Sequence, residues 1–363
     1  MTTSPRPGGR RTSCSARVAV GSIASVALLG LAACTGGSGG AATDSRATPS
    51  STSPAAATSS PAPVPAAKNP LTGIGAVPRT PVIAVKIDDT APGRPQVGID
   101  KADIVYIEAV EGGLDRIAAI FGSNKPKSVG YVRSTRPSDP ELLRQYGKIT
   151  EAFSGGQSKP KQILRAAGLT EWNFGAGASF YQRVSRYESD YINVVLDLAQ
   201  VAKRTKTAKP TSNGWRFNPS LAGLPVSSGT RMDTVVTGSY SSGTPVQFRW
   251  NATLQKYVRY IDGVAQRAAD GKLITATNVI VQSCLIDVYE GDRDVNGNPA
   301  QFTHSIGSGA VSVFRQGKRV NGTWSRKSIT AGTTLTASNG KPLTLNPGNT
   351  WVVLIRKGIP VNS

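Results

Sequence analysis

From Asn69 onward, short apolar runs alternate with turn signals, and their spacing sets an order of elements. Residues 81–88 predict a strand and residues 102–111 a second, largely buried one. Gly112-Gly113 predicts a hairpin turn into a strand over 116–121, and Asn124-Lys125-Pro126 a turn into a strand over 128–134. Residues 139–146 read as a helix with Ser138 as N-cap, 149–154 as a strand, and 160–167 as a helix opened by proline and closed by Gly168. A last helix is predicted over 192–205, ending in basic residues that suit the negative end of its dipole. Beyond Pro210 the helical period vanishes. Short β-prone runs follow at 231–240, 244–249, 256–261, 278–289, 310–314, 333–337 and 351–356, joined by turns such as Asp262-Gly263 and Asn339-Gly340. The expected fold class is α+β: an N-terminal mixed α/β sheet subdomain over 69–210, then a smaller antiparallel all-β subdomain over 220–363, built as a sandwich or partly open barrel.

The first 68 residues follow a different pattern. Arg6, Arg10, Arg11 and Arg17 come without an acid, and 18–33 is an apolar run of signal-peptide length that is short for a permanent membrane span. It ends Leu31-Ala32-Ala33-Cys34, which resembles a bacterial lipobox, so Cys34 is the expected lipidation site and 1–33 the signal peptide. Residues 34–68 are almost entirely Gly, Ala, Ser, Thr and Pro after the cysteine, a composition that cannot offset its own ordering entropy. The expected location is the outer face of the bacterial cytoplasmic membrane, with the lipid as anchor and this stretch as a tether. Cys14 leaves with the signal, and Cys284, inside an apolar run, reads as a buried strand thiol.

Composition narrows the chemistry. One His and three scattered Cys in 363 residues argue against a His/Cys metal site and a Ser-His-Asp triad, and no phosphate-loop or dinucleotide fingerprint is present. Neither a metal nor a cofactor is therefore expected. Asp292-x-Asp294-x-Asn296-Gly297 imitates the start of a calcium loop, yet its twelfth position is Thr303 where a bidentate Glu is needed, so a hairpin turn is expected. His304 reads as a surface or hydrogen-bonded histidine. The formal net charge is +20, and residues 295–363 carry eight basic residues and no acid. Such an excess suits an anionic neighbour, namely lipid headgroups, a wall polymer or a glycan; nucleic acid is the weakest choice for an exported chain, and no protein partner is indicated.

Tracing strand direction through the tight turns brings Glu111, Asp115, Arg116, Arg133, Ser134, Arg136 and the 154–158 loop to one sheet edge. Three guanidiniums and a Gly-rich loop before a helix suit recognition of carboxylate or phosphate. Glu108 and Glu111 would orient the guanidiniums or accept from sugar hydroxyls. Two readings stay open: these charges line a binding site, or they pair with one another as an internal brace. Binding or scaffolding of an anionic envelope ligand is favoured, with no catalytic residue assigned. The competing class is an envelope hydrolase or transferase acting on a phosphate- or carboxylate-bearing wall component, with Glu111 or Asp88 as base.

Arg94-Pro95-Gln96, the run from Lys101 to Tyr106 with Glu108, Glu111-Gly112-Gly113, Arg116 and Gly130-Tyr131-Val132-Arg133-Ser134-Thr135-Arg136 resemble the YerB-like bacterial lipoproteins, domain of unknown function family 3048. Asn278 to Gln282, Gly322-Thr323-Trp324 and Leu345 to Trp351 are similar to that family's C-terminal part. The resemblance spans essentially the whole head and implies an envelope lipoprotein of α/β plus all-β build without implying a reaction; Arg94 is counted with Glu108, Glu111, Arg116, Arg133, Ser134 and Arg136 among the candidate ligand-binding residues. Where similar proteins tend to carry Pro-His-Asn, this chain reads Arg186-Tyr187-Glu188-Ser189-Asp190-Tyr191-Ile192-Asn193.

Overall fold

A strand buried on both faces needs apolar residues at nearly every position, and three such strands open the fold: β1 (Ile83–Asp88), β2 (Ile104–Ala109) and β3 (Asp115–Phe121). The computed structural model describes residues 68–206, 210–235 and 245–363; the expected signal peptide, Cys34 and the expected tether up to residue 67 lie outside the described residues. β3 runs antiparallel to both β1 and β2, with Arg116 opposite Asp88 on one side and Glu108 on the other. Directly opposed residues share a face, so Lys86, Asp88, Glu108 and Arg116 all project from the same side of the sheet.

β4 (Val129–Gly130) is a short strand that leaves this sheet and pairs with Val194–Leu196. The expected longer strand over 128–134 is thereby corrected: past Gly130 the chain makes one isolated bridge, Val132 to Ile87, rather than a ladder. Helix α1 (Asp139–Leu143), prolonged by a 3-10 turn at Arg144–Tyr146, crosses to β5 (Thr150–Phe153), which is parallel to β1. Ser138 does not cap α1; its hydroxyl lies 3.4 Å from a Glu108 carboxylate oxygen. Helix α2 (Ser158–Ala166) then leads to β6 (Thr170–Asn173), parallel to β5. The helix expected over 192–205 is confined to α3 (Leu198–Arg204), because Val194–Leu196 has entered a strand and Asp197 caps the helix from Gln200 N–H.

The expected separation into two subdomains does not hold at the level of the sheet. Thr350–Arg356, near the C-terminus, lies parallel to β2 on one side and to Asn278–Cys284 on the other. One sheet therefore runs Thr334–Ala337, Lys318–Arg326, Gly307–Arg315, Asn278–Cys284, Thr350–Arg356, β2, β3, β1, β5, β6. Strands of both halves share it, and the described residues gather into one compact unit. The C-terminal part is also not wholly antiparallel, since Asn278–Cys284 and Thr350–Arg356 are parallel central strands, almost fully buried. An antiparallel group does form from Arg231–Thr234, Val246–Asn251, Lys256–Ile261 and two shorter strands. It packs on the central sheet where Phe248 meets Trp351 edge-on, 5.4 Å between ring centres.

The basic excess of the C-terminal segment is partly internal. Arg315 and Arg326 are buried, and each guanidinium is spent on carbonyls, those of Thr344, Asn218 and Pro219 for the first and of Glu141, Ile329 and Ala331 for the second. Cys284 is a buried strand thiol, as expected, its pKa pushed up by burial to about 12. His304 sits at the surface with Nε2 3.2 Å from Asp287.

Candidate functional site

β1 and β5 pair only from Ile83 to Val85, and beyond that point they diverge. Residues 131–135 fill the opening. Arg133 N–H donates to the Lys86 carbonyl at 2.9 Å, and the Arg133 carbonyl accepts from Ser154 N–H at 2.9 Å. Thr135 N–H donates to the Gly155 carbonyl at 3.1 Å. The chain then turns at Gly156, whose φ of +141° and whose pro-β position 2.8 Å from Thr135 Cγ2 exclude a side chain, and enters α2. The carboxyl ends of β1, β2 and β5 thus meet the start of β3 at one edge, the usual place for a ligand in an open sheet with parallel strands.

A cleft of about 840 Å³ opens there. Glu111, Arg116, Arg133, Ser134 and Arg136 line it, together with Asp88 and the start of α2. Its remaining wall is a hairpin from the C-terminal half, Ile286–Arg293 and Pro299–Thr303, through Asp292 to Asn296 at its tip. Gln157 Nε2 donates to the Arg293 carbonyl at 2.5 Å and ties the hairpin to the mouth of α2. The hairpin turn expected over 292–297 is present, with Asp294 Oδ1 accepting from Asn296 and Asn298 N–H. Its contribution to the cleft was not legible in the sequence: about 180 residues separate it from Glu111, and a turn signal carries no address.

The three arginines are not equivalent. Arg136 forms a two-pronged ion pair with Glu111, Nε to Oε1 at 2.5 Å and Nη2 to Oε2 at 2.7 Å. Arg133 Nε lies 2.9 Å from Asp88 Oδ2, while Asp88 Oδ1 accepts from the backbone N–H and the hydroxyl of Thr90. A Cβ on Gly93 would fall 2.1 Å from that Oδ1, so this approach needs a glycine. Arg116 is 5% exposed and, among the described residues, has no ion-pair partner; its one hydrogen bond is a 3.4 Å contact from Nη1 to the Ser134 carbonyl, and Nε has none. Burial, with Arg136 and Arg133 adding like charge, pushes its pKa down to about 9. Two carboxylates therefore answer three guanidiniums, and the unanswered charge is the most buried.

Beneath the floor lies a second cluster. Lys86, fully buried, pairs with Glu108 and, at 2.8 Å, with Asp139. The Thr135 hydroxyl lies 3.1 Å from both Asp139 and Glu151, and Arg136 N–H donates to Asp139 at 2.5 Å. Burial, reinforced by the Asp139 charge, holds the Glu151 carboxyl well above the usual carboxylate range. Glu108 belongs to this brace and does not line the cleft. Arg94 is also elsewhere: its Nε donates to the Thr90 carbonyl at 3.0 Å, its own carbonyl accepts from Arg186, and burial lowers its pKa. Of the residues expected at the site, Glu111, Arg116, Arg133, Ser134 and Arg136 converge, and Arg94 and Glu108 support them from outside.

Residues 71–211 match the model of the N-terminal domain of the protein of unknown function DUF3048, and residues 235–352 match that of its C-terminal domain. The chain is 27% identical over 304 residues to YerB of Bacillus subtilis (strain 168), which carries a lipoprotein designation; the match covers 79% of this chain and 86% of that protein. The crystal structure of the B. subtilis YerB protein superposes with a TM-score of 0.68 at 21% identity, over 82% of this chain and all of the other, a likeness of fold.

Proposed function

The chain belongs to the DUF3048 family, and we propose that within the cell envelope it is a lipid-anchored module whose cleft binds an anionic ligand through Arg116, Arg133 and Arg136. The observation that carries this reading is Arg116, a buried guanidinium on the cleft wall without a counter-ion among the described residues. Burying such a charge is costly unless something pairs with it, and a ligand carboxylate or phosphate would do so. The uncapped N-terminus of α2, at the same mouth, adds backbone donors.

The competing reading, a hydrolase or transferase, has less support. Glu111 is held in a fork by Arg136, and Asp88 is occupied by Thr90 and Arg133, so both candidate bases are spent on neighbours. The test of binding is calorimetric titration of the full chain in detergent with inorganic phosphate and with D-glucuronate. Saturable binding of at least one, weakened tenfold or more in Arg116→Gln at an unchanged melting temperature, is expected. Absence of saturable binding to either anion would overturn the reading.

Anchoring rests on the lipobox-like run ending at Cys34 and on the likeness to a protein named as a lipoprotein. Cys34→Ala is expected to move the protein from the membrane to the soluble fraction, since the tether offers no other apolar anchor. Membrane retention of that variant in detergent-free fractionation would count against the anchor.

A further inference from the structure

The cleft holds a second buried charged group, opposite in sign to Arg116, one of whose oxygens has no partner among the described residues. Asp292, on the hairpin wall, is 6% exposed, and its Oδ1 receives no hydrogen bond. Its neighbours are committed elsewhere. Asp294 caps its own turn, and Arg293 is used by Glu290 and by the Gly297 carbonyl. One cleft thus presents an orphan cation and an orphan acceptor at the same time. A bare anion satisfies the first and is repelled by the second, and a volume of about 840 Å³ is in the range of sites for whole small molecules.

Resting on the anion-binding reading above, we propose that the ligand is an anionic sugar: its phosphate or carboxylate pairs with Arg116, a ring hydroxyl donates to Asp292, and the C–H face of the ring lies on Tyr191. Tyr191 is 63% exposed and lines the cleft, as does Leu114 at 48%, so apolar surface waits at the mouth where a pyranose face can cover it. A hydroxyl suits the acceptor better than an ammonium does. Burial raises the pKa of the Asp292 carboxyl and the nearby Arg136 charge draws it back, so the acceptor already has a guanidinium beside it that would repel a ligand cation.

The test is calorimetric titration of the full chain in detergent with D-glucose 1-phosphate, D-glucuronate, inorganic phosphate, phosphoethanolamine and D-glucose. At least one of the two anionic sugars is expected to bind tenfold or more tighter than inorganic phosphate, phosphoethanolamine and glucose, and the better of the two tells whether the anion is phosphate or carboxylate. Tyr191→Ala, at an exposed position, is expected to weaken that sugar about tenfold and leave inorganic phosphate unchanged. Asp292→Ala should erase the preference by weakening the sugar while phosphate holds or gains. If all the anions bind equally and all are lost in Arg116→Gln, the sugar is overturned and the anion site stands. Tightest binding by phosphoethanolamine overturns the sugar in favour of a zwitterionic headgroup. If no anion binds, both readings fall.

Discussion

At the scale of single residues, the molecule uses buried charge in two ways that a composition count cannot separate. Lys86 is surrounded: Glu108 and Asp139 pair with it, and Glu151 stands on the next strand. Arg116 is not. Replacing Lys86 with Met removes the cation and leaves buried carboxylates facing one another, so Lys86→Met is expected to cost about 3–5 kcal/mol in a urea titration. A loss under about 1 kcal/mol would show that the carboxylates simply take up protons. Glu151 gives the pH signature of the same cluster. Its pKa is raised in the native state, so the native protein keeps a proton that the unfolded chain releases above the ordinary Glu value of about 4.3. This contribution is fully present below that value and is lost as pH rises through the native pKa. Lys86, with its pKa lowered chiefly by burial, acts in the opposite direction at alkaline pH. Glu151→Gln, which cannot ionise, is therefore expected to flatten the decline in melting temperature as pH rises above about 4.3; an unchanged slope would assign the decline to other groups.

Elements place these residues, and here the sequence was legible in part. The apolar runs of β1, β2 and β3 and the Gly112-Gly113 reversal were readable because periodicity and turn chemistry are local. Those local signals were enough to bring Glu111, Arg116, Arg133 and Arg136 to one edge. They could not assign Glu108 to the brace below the cleft, since β2 is buried on both faces and carries no alternation that separates inside from outside. Nor could they foresee that 131–135 serves as a wedge between diverging strands instead of a full strand, because divergence depends on which neighbours the strands find. The turn after β1 shows how an element's geometry reaches the site. Gly93 lies against Asp88, and Asp88 orients Arg133, so Gly93→Ala must displace that carboxylate. A stability loss of about 1–3 kcal/mol is expected, as for other overpacked positions, together with weaker binding of whichever anion the wild type takes. Unchanged stability and affinity would mean that the turn can open without cost.

For the head of the molecule, the decisive feature is that the chain returns to its beginning. The two family matches end at residue 211 and resume at residue 235, on either side of the boundary expected between residues 210 and 220, yet strands from both belong to one sheet. A parallel pair such as β2 with Thr350–Arg356 joins segments more than 200 residues apart, and pairings of that range leave no trace in local composition. The same closure builds the cleft, with arginines from the first half and the Asp292 hairpin from the second. Neither half completes it alone. If residues 69–222 are produced without the rest, β2 loses its neighbour and presents a long, apolar, unpaired edge, with the buried Val105 and Ile107 left uncovered where Trp351 and Val353 had packed in register. The fragment is therefore expected to aggregate or to lack a cooperative unfolding transition, and co-expression with residues 223–363 is expected to restore a soluble complex. Circular dichroism melting of the isolated fragment decides the matter. A sharp transition comparable to that of the full chain would mean that the first half carries its own core, and that the shared sheet joins two units already folded.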